Sequence, residues 1–177
     1  MRHRIRCASL VVRNDRLLLV RTIERRSGDD YWIPPGGGME AEDTSIFACA
    51  ERETYEETGY RVFGRSILYV QEFVDHTNQF RNMEFFILSR LVDGEVLLPA
   101  SSDRQSDLPV LMEVGWFSKG EMKGMEVYPV CLKEEFWTDH QSSIIATRHL
   151  GTRASEEVGE PGATDNPDGA QRLREDH

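Results

Sequence analysis

Arg52-Glu53-Thr54-Tyr55-Glu56-Glu57-Thr58-Gly59-Tyr60, set behind the glycine run Gly36-Gly37-Gly38, is the stretch that decides how this chain is read. Glu53, Glu56 and Glu57 stand at i, i+3 and i+4, so on a helix they share one face with Cβ atoms about 5–6 Å apart. Three like charges at that spacing repel unless a multivalent cation sits among them. A hard cation such as Mg²⁺ takes oxygen ligands, typically one or two carboxylates plus the phosphates of a substrate. The arrangement therefore predicts chemistry on a phosphorylated compound. The plainer alternative is a solvated helix face supported by i,i+4 pairs such as Arg52 with Glu56. Against it stands the combination: Arg-Glu-x-x-Glu-Glu-x-Gly specifies five positions, a chance match on the order of one in several thousand for a chain of this length.

With Gly38 at its place upstream, these residues resemble the signature of the Nudix hydrolases: Gly, five residues, Glu, seven residues, then Arg-Glu-hydrophobic-x-Glu-Glu-x-Gly-hydrophobic. Gly38, Arg52, Glu53, Glu56, Glu57 and Gly59 match, and Tyr60 serves as the last apolar position. Two positions depart. Thr54 stands where an aliphatic residue is usual, and Thr44 where the isolated Glu belongs. Aligned on the glycines instead, Asp43 takes the Glu position with one extra residue before Arg52. In the family that upstream Glu mainly braces the loop, so the departure bears on the loop and helix start. Asp43, Thr44 and Ser45 are all good N-cap residues.

The resemblance implies an α/β fold, a Nudix-like α/β/α sandwich around a mixed β-sheet. It also implies hydrolysis of a pyrophosphate bond in a nucleoside diphosphate linked to another moiety, by water attack on phosphorus. Carried over residue by residue, Gly38 (through its carbonyl), Glu53, Glu56 and Glu57 are the expected ligands of Mg²⁺ or Mn²⁺. Arg52, Glu53 and Glu56 are the expected catalytic residues, with Arg52 holding the glutamates in place. The general base stays open among Glu53, Glu56, Glu84, Glu113 and Glu72. Arg21 and Trp32, with Tyr31 and Phe73 as further aromatic faces, are candidate substrate contacts, as are Glu84 and Glu113. An ADP-ribose-like compound or a nucleoside triphosphate is the substrate class favoured by analogy. The competing class is a non-catalytic Nudix-fold module that senses a nucleotide or mediates contacts. Many family members dimerise, which leaves a homodimer open.

The whole chain agrees. Its 177 residues suit one domain with a real core, and 39% hydrophobic with 29% charged residues fit a globular protein. No apolar run approaches the roughly 20 residues that span a bilayer, and no secretory leader is legible. Cys7, Cys49 and Cys131 lack metal-ligand spacing and read as free cytoplasmic thiols. A net charge of −10 argues against general nucleic-acid binding, although residues 2 to 26 carry eight arginines that suit a polyanionic ligand.

Along the chain, Ile5 to Val12 and Leu17 to Thr22 read as a hairpin, and Tyr31-Trp32-Ile33 as a short strand stopped by Pro34-Pro35. The glycines form a loop that lets backbone approach a ligand. A helix runs from about Ser45 to Thr58 with Phe47, Ala50, Thr54 and Thr58 on its core side. Strands follow at Val62-Phe63, Ile67 to Val74, Met83 to Val92 and Glu113 to Phe117, with a polar loop at 99–109. A short helix capped by Ser118 and a last helix from Val130 to about Trp137 close residues 1–150 as the Nudix domain. From 151 to 177 apolar residues nearly vanish, and the segment reads as a disordered acidic C-terminal tail.

Overall fold

The computed structural model describes residues 1–23, 28–76, 79–95, 110–142 and 146–154. Eight strands form one curled sheet: β1 (Arg2–Arg13), β2 (Arg16–Ile23), β3 (Asp30–Ile33), β4 (Gly36–Gly38), β5 (Tyr60–Asp75), β6 (Phe80–Gly94), β7 (Val110–Phe117) and β8 (Arg148–Ala154). The main path runs β3-β2-β1-β6-β5-β8, with β4 added to β1 and β7 to β2. β1 is the hinge of the sheet. Its Arg6–Ala8 segment is flanked by β4, antiparallel, and by β6, parallel, while its far end turns into β2. Asn14 and Asp15 take positive φ in that turn, as a two-residue hairpin requires.

Alternation along β1 builds the layers. Cys7 packs with Cys49, Ala50 and Ile87 under helix α1 (Ile46–Thr58), and Ser9 donates to the Ala50 carbonyl at 3.3 Å. Ala8 and Leu10 face the other way, into a core with Leu17, Leu19, Leu68, Tyr69 and Phe86. That second face is covered by Met122, Leu132, Phe136 and Trp137, from two 3₁₀ turns (Glu121–Gly124 and Val130–Lys133) and the one-turn α2 (Phe136–Asp139), together with Val127 between the two turns. This is the expected α/β/α layering. Each fully buried aliphatic or aromatic side chain contributes about 1.5–3 kcal/mol.

Helix α1 starts and stops where its sequence dictates. Ser45 is extended and its hydroxyl accepts from the Ala48 amide at 3.1 Å, while Gly59 closes the helix in the left-handed region at φ 77°. Cys49, Ala50, Thr54 and Thr58 are its buried positions, with Phe47 packed beside them. Thr54 is tolerated inside because its hydroxyl donates to the Ala50 carbonyl at 2.6 Å, which satisfies the polar atom without a tertiary partner.

Four expectations change. The glycine run is strand β4 in the ladder with β1, because the absence of side chains lets its backbone lie against Cys7 and Ala8. Residues 62–74 belong to one long strand that absorbs its irregularities as bulges. The last helix is split: Glu134, at φ −133° and ψ −71°, breaks it between the 3₁₀ turn and α2. The domain boundary at 150/151 falls inside β8, which pairs parallel with β5 as far as Val74↔Ala154. The polar loop at 99–109 and residues 155–177 of the tail lie outside the described residues.

Candidate active site

Helix α1 packs across β1, β4 and β5, which lays its acidic face along the glycine strand. The half-buried Glu57 accepts a hydrogen bond from the Gly36 amide at 2.8 Å. Glu53 lies so close to Gly37 that a Cβ there would stand 2.4 Å from its carboxylate. Arg52 ties the assembly together. Its guanidinium reaches Glu53 at 2.9 Å, Glu56 at 3.1 Å and the Gly38 carbonyl at 3.2 Å. The same guanidinium forks onto both oxygens of Asp43, at 3.0 and 2.9 Å.

Asp43 is therefore the loop brace. Its side chain is 5% exposed, and it also accepts from the Glu40 amide at 2.9 Å. The Arg52 hydrogen bonds hold its carboxyl down at about 2. Of the two alignments the sequence allowed, the chain uses the one in which Asp43, not Thr44, supplies the upstream carboxylate. The extra residue before Arg52 is absorbed ahead of the helix, where Ser45 takes the cap.

Burial weighs on two of the helix carboxylates. Burial pushes the Glu57 carboxyl up to about 7, against the lowering influence of the Gly36 amide and Arg6, and burial also raises Glu53. Among the described residues, no three acidic, histidine or cysteine side chains are gathered at metal-ligand separation; Glu53 and Glu56 are both drawn to Arg52, while Glu57 turns to the Gly36 amide. The donor chemistry still fits a hard divalent cation, being carboxylates beside backbone carbonyls. The Gly38 carbonyl accepts from Arg52 at 3.2 Å, and a carbonyl oxygen carries two lone pairs.

The remaining sequence candidates divide. Glu84 shares Arg6 with the α1 glutamates: it is half-buried on β6, in register with Arg6 on β1, and burial raises its carboxyl while Arg6 and Arg153 oppose. Arg21, Trp32 and Glu113 come together with one another, in a row across β3, β2 and β7. Arg21 is paired with Asp30 and lies 3.7 Å from Glu113. Trp32 packs edge-on against Phe117 at 4.5 Å in the main core. Glu72 meets Thr152 at 3.1 Å and His149 at 3.9 Å on β8. Cys7 and Cys49 are buried free thiols, with burial raising both.

Arg6 is the residue that sequence reasoning did not single out. It donates to the Gly36 carbonyl at 3.0 Å, and its charge acts on Glu53, Glu57 and Glu84 alike. The alternation Arg2, Arg4, Arg6 places these side chains on one face of a strand, but only the parallel β1–β6 register puts Arg6 beside Glu84.

A family model described as NUDIX domain matches residues 2–134. No curated protein matches the chain significantly. Among solved structures, the chain is similar to an ADP-ribose pyrophosphatase from Streptococcus suis, at 19% identity and TM-score 0.60, over 82% of this chain and 98% of that one. It is similar to a NUDIX hydrolase from Nitrosomonas europaea at 21% identity and TM-score 0.63, over 88% and 81%. A MutT NUDIX hydrolase from Burkholderia pseudomallei stands at 21% identity and TM-score 0.61, over 76% and 98%. These likenesses carry the fold. The family model, spanning most of the chain and including the glycine strand, the Arg52 clamp and the three glutamates, carries the family: this chain belongs to the NUDIX domain family, the hydrolase family that residues 38–60 resemble.

Proposed function

We propose that this protein is a divalent-metal-dependent pyrophosphohydrolase acting on a nucleoside diphosphate linked to another moiety, with an ADP-ribose-like compound or a nucleoside triphosphate as the substrate class. The observation that carries it is the clamp: the glycine strand seats Glu53 and Glu57 of one helix, and the Arg52 guanidinium ties Glu53 to Glu56. Glu53, Glu56 and Glu57, with the Gly38 carbonyl, would hold Mg²⁺ or Mn²⁺. The bound ion supplies Lewis acidity toward phosphoryl oxygens and a water of lowered pKa. Arg52 orients the carboxylates, and Arg6 offsets negative charge beside Gly36. Glu84 is the favoured general base outside the helix, since it stands beside Arg6 in the ladder and burial raises its carboxyl. Buried free thiols suit a reducing, cytoplasmic setting. Among the described residues no helix is long and apolar enough to cross a membrane. We place the acidic tail at 155–177, beyond β8.

A missing glutamate at position 44 would favour the non-catalytic alternative, and the Arg52–Asp43 clamp, which supplies a carboxylate one residue earlier, supports the catalytic reading. The deciding experiment incubates the protein and Mg²⁺ with ADP-ribose, NADH, dinucleoside polyphosphates and nucleoside triphosphates, with phosphate release read after phosphatase coupling. Turnover of at least one is expected; binding without turnover of any would establish the sensing module instead.

Two further results are expected. Asp43→Asn should weaken Mn²⁺ binding about 10–100-fold, as loss of a group orienting metal ligands does. Calorimetric titration reads this, and an unchanged affinity would remove Asp43 from the site. The second concerns pH. The Glu57 carboxyl titrates at about 7 in the native chain and near 4.3 unfolded, so the native state holds the proton more tightly. Its contribution to stability is lost as pH rises through that interval. The metal-free melting midpoint should fall by about 5 °C between pH 5.5 and 8. Mg²⁺ should raise it more at pH 8 than at pH 5.5; an equal rise at both would contradict the assignment.

A further inference from the structure

Strand β8 lies beyond the residues 2–134 that the family model matches, yet it brings Arg153 to the face of the sheet that carries Arg6 and Glu84. Arg153 stands opposite Phe73, which stands opposite Asn82. Its guanidinium carbon lies 3.5 Å from the ring centroid of Tyr128 and 5.6 Å from that of Phe73. A guanidinium so placed is a half-buried planar surface backed by an aromatic ring, and its charge acts on Glu84. Asn82 adds a second, independent mark. It is 7% exposed, and its Oδ1 is the buried side-chain oxygen without a hydrogen-bond partner among the described residues. A buried acceptor without a partner is a penalty, relieved by a ligand that brings an N–H or O–H donor.

We infer that β8 completes a nucleoside-recognition subsite, in which the Arg153–Tyr128 stack is the plane against which the substrate's base lies and Asn82 Oδ1 accepts from the bound nucleoside. The inference rests on the pyrophosphohydrolase reading for its substrate class. It places the base on the β6–β5–β8 side of Arg6 and the pyrophosphate on the side of Gly36 and Glu57. Guanidinium planes stack on bases with little selectivity, so Arg153 supplies affinity for a base, and Asn82 orients it.

The test uses the full chain and two probes, AMP and ribose 5-phosphate, which share a phosphate and a sugar but not the base. Wild-type protein should bind AMP more tightly than ribose 5-phosphate in calorimetric titration. Arg153→Ala should weaken AMP about tenfold and leave ribose 5-phosphate unchanged. Arg153→Lys, which keeps the charge and the strand but loses the planar group, should behave like Arg153→Ala. Rescue by lysine, equal losses for the two probes, no loss, or no wild-type preference for AMP would each overturn the inference. In turnover, Arg153→Lys should raise KM with kcat nearly unchanged, which a purely structural role for β8 would not produce. Absence of turnover across the substrate panel, with AMP preference intact and dependent on Arg153, would overturn the hydrolase reading alone. Turnover with AMP and ribose 5-phosphate bound alike would overturn this subsite alone.

Discussion

Glu57→Gln is expected to lower kcat on the order of a thousandfold while the metal-free protein stays at least as stable as wild type. A metal acting as Lewis acid supplies several kcal/mol of transition-state stabilisation, and each 1.36 kcal/mol is tenfold in rate. Glutamine keeps the length of the side chain and an oxygen able to accept from the Gly36 amide, so the bond that seats residue 57 on β4 survives. It removes the ionised oxygen a cation would need. It also removes a carboxyl that burial pushes up to about 7, so above that pH the variant is spared a buried charge. Its metal-free melting midpoint should be flat between pH 5.5 and 8 where the wild type falls. Steady-state kinetics and thermal denaturation read the two halves separately. Unaltered kinetics would sink the assignment of Glu57 to the metal site, and an unfolded variant would mean the carboxylate itself holds β4 to α1.

The second large effect separates two neighbouring glycines. A Cβ at Gly36 would stand 2.2 Å from the Cys7 carbonyl oxygen and 2.5 Å from the Ala8 Cα, both backbone atoms of the central strand. Neither can yield, so Gly36→Ala must pry β4 from β1, an overpacking cost of about 3 kcal/mol or more. A Cβ at Gly37 would meet the carboxylate of Glu53 instead, the far end of a flexible side chain. Gly37→Ala should therefore fold with a denaturation midpoint near wild type, yet lose activity because Glu53 is displaced. Urea unfolding and turnover, measured on both variants, give opposite patterns under this account. Equal stabilities would show that β4 does not need its close approach to β1.

The helix, its caps and the glutamate trio were legible because each is a local matter. Ser45 and Gly59 bound α1 through bonds made within a few residues, and the i, i+3, i+4 spacing of Glu53, Glu56 and Glu57 holds on any helix. The core side through Ala50, Thr54 and Thr58 follows from the same periodicity. β8 left no such trace. Its Arg-His-Leu-Gly-Thr-Arg-Ala sequence is polar because the strand lies at the edge of the sheet and buries little, so it resembles the tail that follows it. Arg21, Trp32 and Glu113, each read from the sequence as a candidate substrate contact, meet one another across the β3–β2–β7 ladder.

What the sequence determined alone was the chemistry available around residues 36 to 60: three carboxylates, an arginine to hold them and glycines that let backbone come close. It left open whether Asp43 or Thr44 stood in for the upstream glutamate. Tertiary structure decided that, because the answer depends on which oxygen the Arg52 guanidinium reaches. It also decided that Arg6 stands beside Glu84 and that Arg153 lies on the same face, since those neighbours are set by strand register between segments far apart in the chain.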